Sequence, residues 1–281
     1  MKNENLVVGA NGFLGSYLCK YLISLNQKVT GVYHKNRANS IEGVDYINIE
    51  QALSSKKEYT TVYILAAFIP NSDSIDNLDS LFNSNVSLVS KICQKNKNAR
   101  IVFSSSVSVY DLSNQVLKED SVISPKSFYG ISKFWGEQIV SKHKNYGIVR
   151  ISSMYGSGMS NSTFLPIIID NAISKKTICL FGNGEREQNY IHVSDVVKYL
   201  YKASLEKKNE IYLAVNTLSH SNREVAEMIK SYLPEVSIKF NGSDLSPSFV
   251  YDNSKTNLIL AINPKINLDK GVLSLIEWKK K

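Results

Sequence analysis

Leu6-Val7-Val8-Gly9-Ala10-Asn11-Gly12-Phe13-Leu14-Gly15-Ser16-Tyr17-Leu18, LVVGANGFLGSYL, decides the fold class of this 281-residue chain. Three apolar residues run into a glycine, as a short buried strand does. From Phe13 the apolar residues recur at helical spacing through FLGSYLCKYLISL. A strand, a glycine turn and an opening helix form a receptor for a pyrophosphate. The glycines permit a tight turn and a close backbone approach, and the helix N-terminus offers N–H groups and positive dipole. Gly9-x-x-Gly12-x-x-Gly15 departs from the spacing of the general G-x-G-x-x-G fingerprint, so the strand–turn–helix context carries the reading. Asn11 suits the turn or the helix cap.

Outward from this stretch the pattern repeats. KVTGVY, VDYINI, TTVYILAA and ARIVFSSS are apolar runs, and LDSLFNSNVSLVSKICQKN has helical periodicity. A helix is expected from about Phe128, and YGIVRIS reads as another strand. Buried strands alternating with helices predict an α/β fold, a Rossmann-type doubly wound parallel sheet. After Tyr155 the polar connector GSGMSNSTF changes the texture. The expected division is a dinucleotide-binding domain over 1–155, with strands returning from about 186–216. Residues 156–185 and 217–281 are expected to form a smaller C-terminal substrate-binding lobe.

The bulk numbers exclude several classes. Hydrophobic residues make up 43% and charged residues 21%, which fits a globular chain rather than a disordered one. No apolar run reaches the roughly 18 residues of a membrane span, and MKNENLVVGANG lacks signal-peptide regions. A cytoplasmic protein without a membrane partner is expected. Cys19, Cys93 and Cys179 are scattered in apolar segments. They read as buried, reduced thiols, not as a disulfide frame or a metal site. The net charge of +8 comes from lysines spread along the chain, so solvated surface is expected and no nucleic-acid partner.

In SFYGISKFWGE, Tyr129 and Lys133 stand four apart on one helix face. An ammonium beside a phenol favours the phenolate and lowers the phenol pKa, so Tyr129 could exchange a proton at a carbonyl or hydroxyl carbon. Upstream, Ser104-Ser105-Ser106 closes a strand, where a hydroxyl could hold the same oxygen.

Glycine turn, strand-end serine and Tyr-x-x-x-Lys, in this order, resemble the short-chain dehydrogenase/reductase superfamily. The remainder resembles its extended branch, the nucleotide-sugar epimerase/dehydratase family. VYILAA is similar to the fourth-strand turn beside the cofactor, and Asn85 matches the asparagine of helix four. RISSMYGSG resembles R-x-x-N-x-Y-G-P, and QNYIHVSDVV resembles R-D-Y-I-H-V-x-D-V. YDNSKTNLIL and LDKGVLSLIEWKKK resemble the family's C-terminal ending.

The resemblance implies residue roles. Tyr129 would be the acid/base. Lys133 would lower its pKa and hold the nicotinamide ribose. Ser106, four before the Tyr of SVSVYD, would bind the reacting oxygen. Gly9, Asn11, Gly12, Phe13, Leu14 and Gly15 would line the pyrophosphate and ribose. Leu65, Ala66, Ala67 and Asn85 would flank the cofactor, and Glu50 would replace the aspartate that holds the adenine. Substrate contacts would come from Ser106, Ser108, Ser153, Arg186 and Gln188. Ser153 and Gln188 stand where the family carries asparagine and arginine. A homodimer through helices four and five is implied.

The cofactor reading turns on Tyr33, 18 residues after Gly15, where an acid that binds the ribose 2′-hydroxyl is expected. Tyr33, His34, Lys35 and Arg37 offer an aromatic ring and cations instead. Cations pair with a 2′-phosphate that a carboxylate would repel, so NADP is expected over NAD. The two residues after Ser106 bear on the reaction. Family dehydratases resemble S-T-D-E-V-Y-G, and here the Asp-Glu positions are Val107 and Ser108, so elimination loses its acid and base. Ser108 also replaces the cysteine of 3,5-epimerising relatives. The expected function is NADP-dependent reduction of a nucleotide-linked keto-sugar, a 4-keto-6-deoxyhexose, in surface-polysaccharide sugar biosynthesis. An NAD-dependent nucleotide-sugar 4-epimerase is the alternative. A non-catalytic NADP-sensing or RNA-binding protein of the same fold is the second.

Overall fold

The computed structural model describes residues 4–33, 40–111 and 116–281. Seven strands make the central sheet: β1 Glu4–Val8, β2 Lys28–Tyr33, β3 Val44–Asn48, β4 Thr61–Ile64, β5 Arg100–Ser106, β7 Tyr146–Ile151 and β11 Glu210–Ala214. Their order is β11-β7-β5-β4-β1-β2-β3, and every neighbouring pair is parallel. All seven C-terminal ends therefore point to one edge. The order reverses between β1 and β4, the switch point beside which ligands bind in open α/β sheets. The expected doubly wound parallel sheet is present.

Helices cover both faces. One core packs α1 Phe13–Ser24 and α7 Val193–Leu205 on the sheet, through Leu18, Leu22, Val196 and Leu200. The opposite core holds Val62, Ile92, Ile101 and Phe103, beneath α4 Leu88–Lys95 and α5 Phe128–Val140. The strands carry Val and Ile on both faces because both faces are buried. A short α2, Ile49–Ser54, follows β3 and is opened by a capping box from Asn48 to Gln51.

The helical stretch after β4 is not one α-helix. α3 Leu78–Leu81 passes into a π-helical segment, 82–87, before α4 begins. The wider turn puts Asn85 inside the protein, fully buried.

A separate core gathers α6 Phe164–Lys175, α8 Asn222–Tyr232 and α10 Leu268–Lys279, with Ile169, Leu180, Ile229 and Val272 fully or almost fully buried. Small sheets border it. β8 Ser153–Tyr155, β10 Glu187–His192 and β12 Ser219–Ser221 form one, in the order β12-β10-β8. β9 Thr177–Phe181 pairs with β13 Ser237–Asn241. The short strands β6 Val116–Leu117 and β14 Val250–Tyr251 pair with each other, and α9 Ser254–Leu260 comes next in the chain. Of the two strands expected to return around α7, β11 joins the main sheet and β10 does not. Cys19 and Cys93 are buried, but Cys179 is exposed, because it sits on the outward face of β9.

Candidate active site

The cofactor cradle is set by backbone packed on backbone. Gly9 has φ of +90°, and a Cβ there would lie 2.7 Å from the Ala66 nitrogen. A Cβ on Gly15 would lie 2.0 Å from the Gly9 carbonyl oxygen. Larger residues would push the turn off the sheet. The Gly9 and Ala10 amides donate to the Val32 carbonyl, and the Leu65 and Ala66 amides donate to Val8. The ends of β1, β2 and β4 thus hold the turn from both sides. Gly12 caps α1 without a side chain, which leaves the first-turn N–H groups facing the cradle. These features fit a dinucleotide pyrophosphate.

Several expected cofactor contacts have other tasks. Leu14 is buried in the core, so only its backbone can face the cradle. Phe13 packs on both the sheet core and the separate core, edge-on to Tyr17, whose hydroxyl donates to the Ser157 carbonyl at 3.0 Å. Asn85 spends its amide on the Phe68 backbone, accepting from N–H at 2.8 Å and donating to C=O at 3.0 Å, and donates to Ser132 at 2.9 Å. It holds the turn after β4 against α5. Glu50 is exposed on α2, whereas Asn48 ends β3 and is the register partner of Tyr33. Asn48 uses its side-chain oxygen to cap α2, accepting from the Gln51 amide at 2.8 Å. Tyr33 closes β2 half-buried, and His34, Lys35 and Arg37 lie outside the described residues.

At the end of β5 three hydroxyls meet. Ser106 donates to Ser108 Oγ at 3.0 Å and accepts from the Ser108 amide at 3.1 Å. It also lies beside the Tyr129 phenol. Two features bring α5 this close. Ser127 caps the helix by accepting from the Gly130 amide at 3.1 Å. Gly130 then lets the helix touch the preceding loop, since a Cβ there would sit 2.3 Å from the Ser108 carbonyl oxygen.

Burial pushes the Tyr129 hydroxyl up to about 12, against the neighbouring Ser106 hydroxyl, which lowers it. Burial also brings the Lys133 ammonium down to about 7, with Glu137 acting against it. Lys133 is 2% exposed, and its Nζ lies 4.4 Å from the centroid of the Phe103 ring. At Tyr129 burial outweighs the lowering by Ser106. Removal from water disfavours both charged forms, and the lysine gives up positive charge first.

Of the residues expected at the substrate, Ser153 lies on β8, Gln188 on β10 and Arg186 just before β10. Ser153 is exposed on β8, opposite Tyr190 in register. Gln188 donates to Asn222 Oδ1 at 2.8 Å. Arg186 is half-buried, with a buried Nε that has no hydrogen-bond partner, and it helps hold the Asp244 carboxyl below its usual range. Asp195, in the stretch YIHVSD, is a structural anchor. Its Oδ2 accepts from the Lys265 and Ile266 amides, both at 2.9 Å. Cavities of about 370 Å³ and 790 Å³ are lined by neither the glycine turn nor the hydroxyl cluster.

A family model described as "NAD dependent epimerase/dehydratase family" matches residues 5–214. The chain belongs to this family. As a member of the NAD dependent epimerase/dehydratase family it is an NAD(P)-dependent enzyme, and its relatives work on nucleotide sugars. A putative UDP-glucose 4-epimerase of Methanocaldococcus jannaschii is 26% identical, covering 98% of each chain. A dTDP-4-dehydro-6-deoxyglucose reductase of Escherichia coli is 22% identical, covering 98% of this chain and 97% of the other. The fold also matches the UDP-glucuronic acid 4-epimerase of Bacillus cereus in complex with UDP-glucuronic acid and NAD. That match has a TM-score of 0.87 and 21% identity, over 99% of this chain and 98% of that one. No helix among the described residues is long and apolar enough to cross a membrane.

Proposed function

We propose that this chain is an NADP-dependent reductase of a nucleotide-linked 4-keto-6-deoxyhexose. One observation carries the reading. The Ser106, Ser108 and Tyr129 hydroxyls cluster at the end of β5, and the two residues after Ser106 are Val107 and Ser108, not carboxylates. Elimination of water from a sugar needs an acid and a base placed there. Reduction of a carbonyl needs one proton donor and a hydrogen bond to the oxygen. The reductase of Escherichia coli among the relatives supports this choice.

The residues act on that carbonyl oxygen. Tyr129, kept protonated at neutral pH by burial, donates its proton there, and Ser106 steadies the same oxygen with a hydrogen bond. Lys133 in its ammonium form stabilises the phenolate left on Tyr129 and binds the nicotinamide ribose. When bound, a reduced nicotinamide supplies the hydride. Gly9, Gly12 and the first turn of α1 hold the pyrophosphate, and Leu65 to Ala67 flank the dinucleotide. By their sequence position His34, Lys35 and Arg37 would pair with a 2′-phosphate, and Glu50 would hold the adenine. Arg186, with its unpaired Nε, takes the sugar-nucleotide phosphates in place of Gln188, whose amide is already engaged. The lobe around the separate core accepts the sugar nucleotide. Exposed Leu78, Phe82, Ile131 and Trp135 form an apolar stripe that suits a homodimer through α3–α5.

An NAD-dependent nucleotide-sugar 4-epimerase is the second reading, favoured by the epimerase relatives and the NAD and UDP-sugar of the Bacillus cereus structure. NADPH and NADH oxidation across a panel of nucleotide-linked 4-keto-6-deoxyhexoses separates the two. The proposal expects NADPH to be consumed faster than NADH. Oxidation of neither, with NAD retained by the purified protein, supports the epimerase.

A further inference from the structure

The ion pair of Glu137 and Arg150 takes no part in the reaction described, yet it lies among the groups that do. Each residue is 2% exposed. Arg150 donates from Nε to Glu137 Oε1 at 2.9 Å and from Nη2 to Oε2 at 2.8 Å, a fork-on-fork grip that fixes the plane of the carboxylate. Oε1 also accepts from the Ser105 hydroxyl at 2.6 Å. Ser105 directly precedes Ser106. Glu137 stands one helical turn after Lys133 and two after Tyr129 on α5. One carboxylate therefore joins the helix that carries Tyr129 and Lys133 to the strand that ends in Ser106, with β7 behind both.

Arg150 is held in turn. Its Nη1 donates to the Glu119 carbonyl at 2.9 Å, and its guanidinium lies 4.7 Å from the centroid of the Tyr110 ring. Around Lys133 stand Glu137 on its own helix, the Phe103 ring on β5, and Tyr129 one turn back. Arg150 on β7 grips the Glu137 carboxylate. The Glu119 carboxylate is occupied by the Thr256 amide at 3.1 Å. Glu137 is the one acid among these groups that acts on Lys133. A buried ion pair adds little net stability over a well-packed apolar pair, so core packing does not account for it.

We propose that Glu137 is a positioning residue: held by Arg150, it locks the Ser105–Ser106 strand end against the Tyr129–Lys133 helix and sets a negative charge one helical turn from Lys133. This rests on the roles given above to Ser106, Tyr129 and Lys133. Glu137→Gln keeps an acceptor for Ser105 and removes the charge. It should lower kcat at neutral pH about tenfold, with the KM for the sugar nearly unchanged. The pH midpoint of kcat and of nicotinamide-cofactor affinity should move down by about one unit, so that acidification restores part of the loss. Ser105→Ala keeps the charge and cuts the link to the strand. It should lower kcat severalfold without moving the midpoint.

Where Glu137→Gln unfolds around an unpaired Arg150, Glu137→Leu combined with Arg150→Met gives an uncharged core and is read in its place. A folded variant of either kind with the wild-type kcat and midpoint overturns the proposal, as does an unchanged kcat in Ser105→Ala. Should the wild type reduce no keto-sugar, the reductase reading fails on its own. The pH dependence of NADPH and NADH affinity then tests the Glu137 charge separately, and an unmoved midpoint overturns it.

Discussion

The glycine turn and the segment Arg186–Asn189 both lie next to a proposed ligand, but they are held in different ways. The turn is fixed by backbone against backbone, with a Gly15 Cβ only 2.0 Å from the Gly9 carbonyl oxygen. The strand β10 is backbone-paired with β8 and β12, and side chains tie this segment further. Gln188 donates to Asn222, Asn189 Nδ2 donates to the Asn216 carbonyl at 2.9 Å, and Ser152 donates to Asn189 Oδ1 at 2.8 Å. A backbone contact admits one residue type, so it marks the sequence. A side-chain pair admits substitutes when both partners change together. This segment can therefore leave the family pattern at Gln188 and still make its strand.

Gly15→Ala breaks the comparison most severely. The added methyl must displace the Gly9 carbonyl, at a cost of about 3 kcal/mol, so Tm should fall and titration should detect no cofactor binding. Near-normal cofactor affinity in that variant would show that the turn has slack. Tyr129→Phe removes one hydroxyl at the neighbouring strand end. It should lower kcat about 10²–10⁴-fold while leaving cofactor affinity largely intact. At the start of β10 the two expected outcomes differ. Arg186→Ala should raise the sugar-nucleotide KM roughly tenfold or more, because a charged hydrogen bond is lost. Gln188→Ala should cost about 1 kcal/mol of stability and leave KM nearly unchanged, because it loses only the bond to Asn222. Equal effects of the two on KM would erase the distinction drawn between them.

The alternation of strands and helices was legible because buried parallel strands carry apolar residues on both faces, as Ile101, Val102 and Phe103 do in β5. The glycine turn was legible because sterics leave no alternative. The task of Asn85 was not, since a π-helical turn has no distinct residue pattern and it alone points Asn85 inward. Glu137 was passed over although it stands four residues after Lys133. Its importance depends on Arg150 and Ser105, distant in sequence and brought together only by the fold. The exposure of Cys179 was hidden because TICLF reads as a buried run, while β9 pairs on one side only, in a two-stranded sheet.

A further expected effect is on stability against pH. Lys133 is a base whose folded pKa, about 7, lies below its ordinary value of 10.5. Between these values the unfolded chain binds more protons than the folded one, so stability should rise as pH climbs from about 7 towards 10. Lys133→Met should remove that rise. Above pH 10 the sign reverses. Burial raises Tyr110, Tyr129 and Tyr212 to about 12, so the unfolded chain loses protons first and stability should fall. Denaturant midpoints across pH 7 to 11 for both proteins check this, and an identical rise in Lys133→Met would contradict the burial of its charge.

The central claim is that NADPH would reduce a sugar carbonyl held by a hydroxyl cluster without a carboxylate. NADPH deuterated at the transferred C4 position, incubated with a nucleotide-linked 4-keto-6-deoxyhexose, tests it directly. The account predicts one deuterium at sugar C4 for each NADP formed. An inverted or dehydrated sugar, with no net oxidation of the cofactor, would contradict it.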